Sequence, residues 1–228
     1  MKMVLGLVAV TLVLVAGCAT TQRVAVEDQP AVCAFLGEAC EQLKPGAKGE
    51  AGLRYVNPAA QFTQYDKVLI QSVGFFGTDV EKVPPKEQEE LTALFHRTLA
   101  EDLAKNYQVV QEPGPGVMRV QVAIMNAEAA TPGARSISMA IPQARLLSSG
   151  YSLVSGEYPF SGEGQAALKV TDAVTGQLLG EAVDRRVGGG SIKNVAVWKW
   201  GDAENAIKTW SQMINNGLHA YTSGQRKP

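Results

Sequence analysis

Val68-Leu69-Ile70-Gln71-Ser72-Val73 is rich in β-branched residues and apolar at successive positions, so it reads as a central strand covered on both faces. Gly74 to Gly77 ends it, and Pro84-Pro85 then precedes a helix expected over about residues 86–106. Leu91, Leu94, Phe95, Leu99 and Leu103 recur at helical spacing and form one apolar stripe. Glu87, Glu89 and Glu90 crowd the first turns, where the helix dipole favours negative charge. A buried strand followed by a one-striped helix implies a layered fold in which the helix lies on a sheet.

Working outward, Tyr107 to Val110 reads as a short strand closed by Pro113-Gly114-Pro115-Gly116. Met118, Val120, Val122 and Ile124 alternate with Arg119, Gln121 and Ala123, which predicts a strand with one wet face. Residues 127–149 are punctuated by Pro132-Gly133 and Pro142; the alternation of Ile137, Met139 and Ile141 predicts a short strand within a surface excursion. Tyr151 to Phe160 and Gln165 to Asp172 read as strands, and the second turns through Val174-Thr175-Gly176 into Leu178 to Val187 as a hairpin. After Gly188-Gly189-Gly190, a loop leads to a last helix with Asp202 as its N-cap. Its stripe is Ala203, Ala206, Ile207, Trp210, Met213, Ile214, Leu218 and Tyr221. The expected fold is α/β in the α+β sense: a two-layer sandwich of one mixed, mostly antiparallel sheet with two amphipathic helices on one face. One domain over residues 53–222 and a polar tail over 223–228 account for this part of the chain.

The N-terminus supplies a location. Lys2 is followed by an uncharged run from Val4 to Ala16, which fits the hydrophobic region of a signal peptide. A spanning helix needs roughly 20 apolar residues, more than this run contains. Val15-Ala16-Gly17-Cys18 has the form of a lipobox, with small residues ahead of a cysteine whose sulfur takes up a diacylglycerol. Residues 1–17 are therefore read as a lipoprotein signal peptide and Cys18 as the first, lipid-modified residue. Two acyl chains, palmitate among them, anchor stably at about 0.8 kcal/mol per buried methylene. Ala19 stands where an Asp favours inner-membrane retention in lipoproteins of enteric type, which this leader resembles, so the expected address is the outer membrane, facing the periplasm.

Residues 18–52 read as an extended tether arm with room for partial docking on the domain, polar and aperiodic at first and rich in breakers from Lys44 to Gly52. The arm carries Cys33 and Cys40, a candidate disulfide in an oxidising compartment. On one continuous helix, residues seven apart lie about 10.5 Å apart along the axis. A disulfide holds its Cα atoms within about 7 Å. A bridge therefore needs a turn, which Gly37 can provide; the alternative is two separate thiols.

Composition excludes some classes and favours none. The net charge of -1 leaves no basic excess to neutralise phosphates, which argues against nucleic acid. The only histidines, His96 and His219, sit in no metal-ligating spacing, so neither a metal nor a cofactor is expected. No G-x-S-x-G or C-x-x-C occurs, and Gly188 to Lys193 lacks the phosphate-loop spacing. No enzyme is expected. One constellation remains as a candidate contact with a ligand or partner: Arg185, Arg186, Lys193, Trp198 and Trp200, able to stack on a sugar or peptide and grip carboxylates. The competing reading has the tryptophans capping the core and the arginines solvated.

Five strings, Leu53-Arg54-Tyr55-Val56-Asn57-Pro58, Tyr65-Asp66-Lys67-Val68, Pro113-Gly114-Pro115-Gly116-Val117-Met118-Arg119, Asp184-Arg185-Arg186-Val187-Gly188-Gly189 and Trp200-Gly201-Asp202-Ala203, together resemble a bacterial envelope lipoprotein family. That family is labelled only as a domain of unknown function, number thirty-three-thirteen. The resemblance covers the mature chain and implies an envelope lipoprotein, with no reaction or catalytic residue to carry over. The first strand, the helix and the turn Val170-x-Asp172-x-x-Thr175-Gly176 are also similar to lipoproteins related to the curli secretion component and to the N-terminal domain of the Tol-system propeller protein. The leading expectation is a lipid-anchored, non-enzymatic binding or assembly protein with a protein or cell-wall partner. The second is a domain that binds or hydrolyses envelope glycans such as peptidoglycan, and the third is a subunit of a multimeric assembly.

Overall fold

A computed structural model describes residues 21–77, 80–128, 162–187 and 200–228. In chain order the strands are β1 (Gln22–Val24), β2 (Lys44–Pro45), β3 (Leu53–Val56), β4 (Lys67–Ile70), β5 (Gly74–Phe75), β6 (Gln108–Val109), β7 (Val117–Glu128), β8 (Glu163–Asp172) and β9 (Leu178–Val187). The helices are α1 (Gln29–Leu36), α2 (Pro85–Leu103) and α3 (Gly201–Thr222). Together they make an α+β fold around one mixed, mostly antiparallel sheet of order β2-β3-β9-β8-β7-β4-β6. β1 joins the edge of β9 at its C-terminal end, and β5 joins β7 beyond β4.

The spine of the sheet is β7, β8 and β9, each long and antiparallel to the next. The hairpin between β8 and β9 forms for a local reason. One oxygen of Asp172 accepts hydrogen bonds from the amides of Val174 and Thr175 and from the Thr175 hydroxyl, at 2.7 to 3.0 Å. Gly176 takes φ +74°, open to glycine at no steric cost. β4 and β6 run parallel to each other with α2 as their connection, and β4 is also parallel to β7.

The helices α2 and α3 cover one face. Leu91, Phe95, Leu99 and Leu103 of α2 close on Val68, Met118, Val120 and Val122 of the sheet. α3 adds Ile207, Trp210, Ile214, Leu218 and Tyr221 to the same core. Phe95 and Trp210 stack with centroids 5.8 Å apart and hold the two helices together. Gly164 on β8 makes room for that indole: a Cβ there would lie 3.0 Å from the Trp210 ring.

The opposite face is covered too, by α1. Val32, Leu36 and Cys40 pack there on Ala123, Met125, Ala167 and Val183, where the small alanines let the helix come close. Asp28 caps its first turn through the Ala31 amide, and Pro30 sits within it. Gly37, at φ +94°, ends the helix and turns the chain back, so Cys33 and Cys40 are bridged with Cα atoms 5.2 Å apart.

Several expectations change. The stretch from Thr21 to Gly52, read as a tether, is folded on to the sheet through β1, α1, β2 and their contacts. β7 has no fully wet face, because α1 buries Ala123 and Met125. The strand at Val68 lies one place from the edge, beside the two-residue β6, and its Leu69 and Ile70 stay half-buried. Asp202 is not the cap of α3: Trp200 stands there, and Asp202, inside the first turn, accepts the Gly162 amide at 3.1 Å. The strands expected near residues 137–141 and 151–160 lie outside the described residues.

Candidate functional site

On the helix-covered face, α2 closes over the β7 side of the sheet, and α3 reaches across towards β9 and β3. The residues facing each other along that reach are small. Ala166 on β8, Gly180 and Ala182 on β9, and Gly217 and Ala220 on α3 bring little side-chain volume to the space between them. Helix and sheet therefore do not close fully along this stretch, and a groove of about 420 Å³ remains. It runs beside α3 from Thr209 to Tyr221, three turns or about 18 Å. Its floor is apolar, with Val170, Leu179 and Val122 reaching from the sheet.

Charged residues cluster at its two ends, and Glu181 of β9 also lines it. At the Tyr221 end, Glu50 accepts from Arg54 at 2.6 Å, from Arg226 and from the Ala47 amide at 2.9 Å. Arg54 also donates to the Tyr221 hydroxyl. Both guanidinium groups lie over the Tyr221 ring, at 5.7 and 5.5 Å from its centroid. Burial works against the charge on Glu50, yet the Ala47 amide and the two arginines outweigh it and bring the carboxyl down to about 2. Burial likewise opposes the charge on Arg54, and Glu50 and Tyr221 more than restore it. Two cations share one carboxylate, so this mouth carries an excess of positive charge.

At the other end stands Asp184, with only 3% of its surface exposed. One of its oxygens accepts from Arg186 Nε at 2.6 Å and Trp210 Nε1 at 2.9 Å; the other accepts from the Gly52 amide at 2.7 Å. Arg186 donates in addition to Met213 Sδ at 3.1 Å and to the backbone oxygen and hydroxyl of Thr21, at 3.5 and 3.4 Å. Strand, helix and N-terminal segment thus meet at one carboxylate.

The residues singled out from sequence are placed as follows. Arg185 and Arg186 are neighbours on β9 and point to opposite faces. Arg185 is buried on the α1 side, donating to Glu163 at 2.5 Å, Glu27 at 3.1 Å and the Ala25 oxygen at 3.4 Å. Trp200 is buried at the start of α3 and donates to Glu87 on α2 at 2.9 Å. These three side chains enter three separate neighbourhoods. Cys18, Lys193 and Trp198 lie outside the described residues. The groove's own polar residues, Glu50, Arg54, Tyr221 and Arg226, were not singled out. Tyr221 was read as part of the apolar stripe and Arg226 as part of a polar tail. Among the described residues no cluster of three or more His, Cys, Asp or Glu is placed to hold a metal ion, and no helix is long and apolar enough to cross a membrane.

The chain belongs to the DUF3313 family, described as proteins of unknown function, whose model matches residues 34–214. No curated protein matches it. Among solved structures it is similar to a PelC dodecamer from Paraburkholderia phytofirmans, with TM-score 0.40 and 11% identity over 71% of this chain and 94% of that one. It is similar also to a DUF330 protein from Xanthomonas campestris, with TM-score 0.38 and 10% identity over 75% and 92%. A neuraminyllactose-binding hemagglutinin homologue from Helicobacter pylori matches with TM-score 0.37 and 13% identity over 75% and 95%. At these scores the likenesses carry no argument about function.

Proposed function

We propose that this protein is a lipid-anchored binding protein of the cell envelope, acylated at Cys18, held at the outer membrane and facing the periplasm, and not an enzyme. The observation that carries the binding role is the mostly apolar groove beside α3, with Glu50, Arg54 and Arg226 at one end and Asp184 at the other. Such a shape suits a partner that inserts an apolar element. The anchor adds proximity. Thr21 is buried and β1 begins at Gln22, so the three-residue step from Cys18 to the fold can span at most about 10 Å. A domain on so short a link works at the membrane surface.

The second reading, hydrolysis of envelope glycans, has less behind it. Glycoside hydrolysis uses two carboxyl groups, one of them an acid with a raised pKa. Of the three carboxylates lining the groove, Glu181 alone is raised by burial, Glu50 is held at about 2 by its partners, and Asp184 has both oxygens committed to structural donors, so the raised acid has no free carboxylate beside it as a second catalytic group.

The test is photo-cross-linking in intact cells. A photoreactive residue at Gln212 or Asn216, exposed positions on the groove, should capture one recurrent species, protein or lipid, that the same residue at Glu101 on α2 does not. Cys18→Ser should move the protein from the membrane to the soluble fraction. Capture of the same species from Glu101, or a Cys18→Ser protein that stays with the membrane, contradicts the reading.

A further inference from the structure

The groove sorts ligands by two features at once. Its length along α3 is about 18 Å. At about 420 Å³ it lies low in the range of roughly 300–1,000 Å³ that small-molecule sites occupy, room for one chain and not a bundle. Charge complementarity then sets the polarity of the ligand's end. Arg54 and Arg226 share the single carboxylate of Glu50, and the Arg226 side chain is 47% exposed. Guanidinium groups are suited to a carboxylate, which they hold through parallel hydrogen bonds. At the opposite end Asp184 is fully occupied and offers an incoming head group nothing.

We infer that the groove binds a long-chain fatty acid, its chain lying beside α3 and its carboxylate at Arg54 and Arg226. This deepens the binding reading and rests on the groove being the binding site; it does not depend on lipidation of Cys18. The geometry also separates the free ligand from the protein's own anchor. Thr21 touches Thr209 (hydroxyl oxygens 3.5 Å apart), so an acyl chain from Cys18 would enter at the Asp184 end and bring no carboxylate to the arginines.

The experiment is a displacement titration of a dansyl-labelled fatty acid from the mature chain carrying only Cys18→Ser, and from the lipidated wild type in detergent. Palmitate should displace the probe better than laurate, by up to about fourfold for each added methylene. Dodecanol should bind more weakly than laurate. Arg226→Gln should weaken laurate about tenfold and leave dodecanol unchanged. Ala182→Leu fills the floor, and Gly217→Leu adds bulk where a Cβ meets nothing within 4 Å and raises helix propensity; each should weaken both ligands at least tenfold, a change of about 1.4 kcal/mol. Unchanged melting temperatures confirm that these variants fold.

Equal binding of laurate and dodecanol, indifferent to Arg226→Gln, overturns the fatty-acid inference and leaves the groove as a binding site. Failure of both ligands to bind overturns the fatty-acid inference, while the cross-linking in intact cells decides the binding reading separately. Binding that survives Ala182→Leu and Gly217→Leu places the fatty acid elsewhere and overturns the inference. Binding to the Cys18→Ser chain but not to the lipidated protein means that the anchor fills the groove, which also overturns it.

Discussion

Asp184→Ala removes the one acceptor shared by β9, α3 and the N-terminal segment. The carboxylate is 4% exposed and its partner Arg186 10%, so the pair is close to fully desolvated. Removing one member of a buried pair costs about 3–5 kcal/mol, because the other charge stays buried without a counterion. Arg186 keeps only Met213 Sδ and two long contacts to Thr21, none of them charged. The Trp210 indole N–H and the Gly52 amide lose their acceptor at the same time. We therefore expect a loss at the upper part of that range and a fall in melting temperature of roughly 8–20 °C for a chain of this size. Urea unfolding of the Cys18→Ser protein, followed by tryptophan fluorescence, measures it, and Trp210 itself reports on the site. A double-mutant cycle with Arg186→Met should give a coupling of about 2 kcal/mol. A loss under about 1 kcal/mol, or no coupling, would refute the claim that this carboxylate joins the three segments.

Three further outcomes follow from the packing. Glu181 is buried with no hydrogen-bond donor to either oxygen, and Lys169 lies 3.8 Å away; burial pushes its carboxyl up against the pull of Lys169. A raised carboxyl favours the protonated form in the fold, so its contribution is intact at low pH and lost as pH rises through the folded-state value. Glu181→Gln should thus stabilise the protein by about 1 kcal/mol at pH 8 and by nothing at pH 4, read from urea curves at the two pH values. Replacing Cys33 and Cys40 together by alanine should cost at most about 2.5 kcal/mol, the loop-closure value, with hydrogen exchange faster in α1 and unchanged in α2; a loss above 4 kcal/mol would mean that the bridge does more than close its loop. Gly164→Ala should cost about 1–3 kcal/mol in thermal or urea unfolding, since its Cβ meets the Trp210 ring at 3.0 Å and the Asn126 oxygen at 3.7 Å.

What could be read from the chain had a period or a local turn. The four-residue spacing of Leu91, Phe95, Leu99 and Leu103 gave α2 its buried face, and Asp172 with Gly176 marked the hairpin. α1 was hidden because eight residues with a proline and a cysteine offer too little periodicity, and its partner surface, Ala123, Ala167 and Val183, lies far along the chain. Arg185 and Arg186 look like a surface pair, yet both are buried, Arg185 against Glu163 of β8 and Glu27, and Arg186 against Asp184 two residues before it on the same strand. Trp200 finds its acceptor in Glu87, more than a hundred residues earlier, a pairing no spacing encodes. The groove was the hardest feature to see. It is made by the smallness of Ala166, Gly180, Ala182 and Gly217, and absent side chains leave no pattern until the fold sets them face to face.

Under the proposed acylation of Cys18, only three residues lead from the lipid to the buried Thr21, and the peptide that joins them can be weighed. Trypsin should release Cys18-Ala19-Thr20-Thr21-Gln22-Arg23 from protein purified out of the membrane fraction. Mass spectrometry of that peptide should show it beginning at Cys18 and carrying the mass of a diacylglycerol, with or without an amide-linked acyl chain. An N-terminus at any other residue, or the same peptide with an unmodified thiol, would contradict the account.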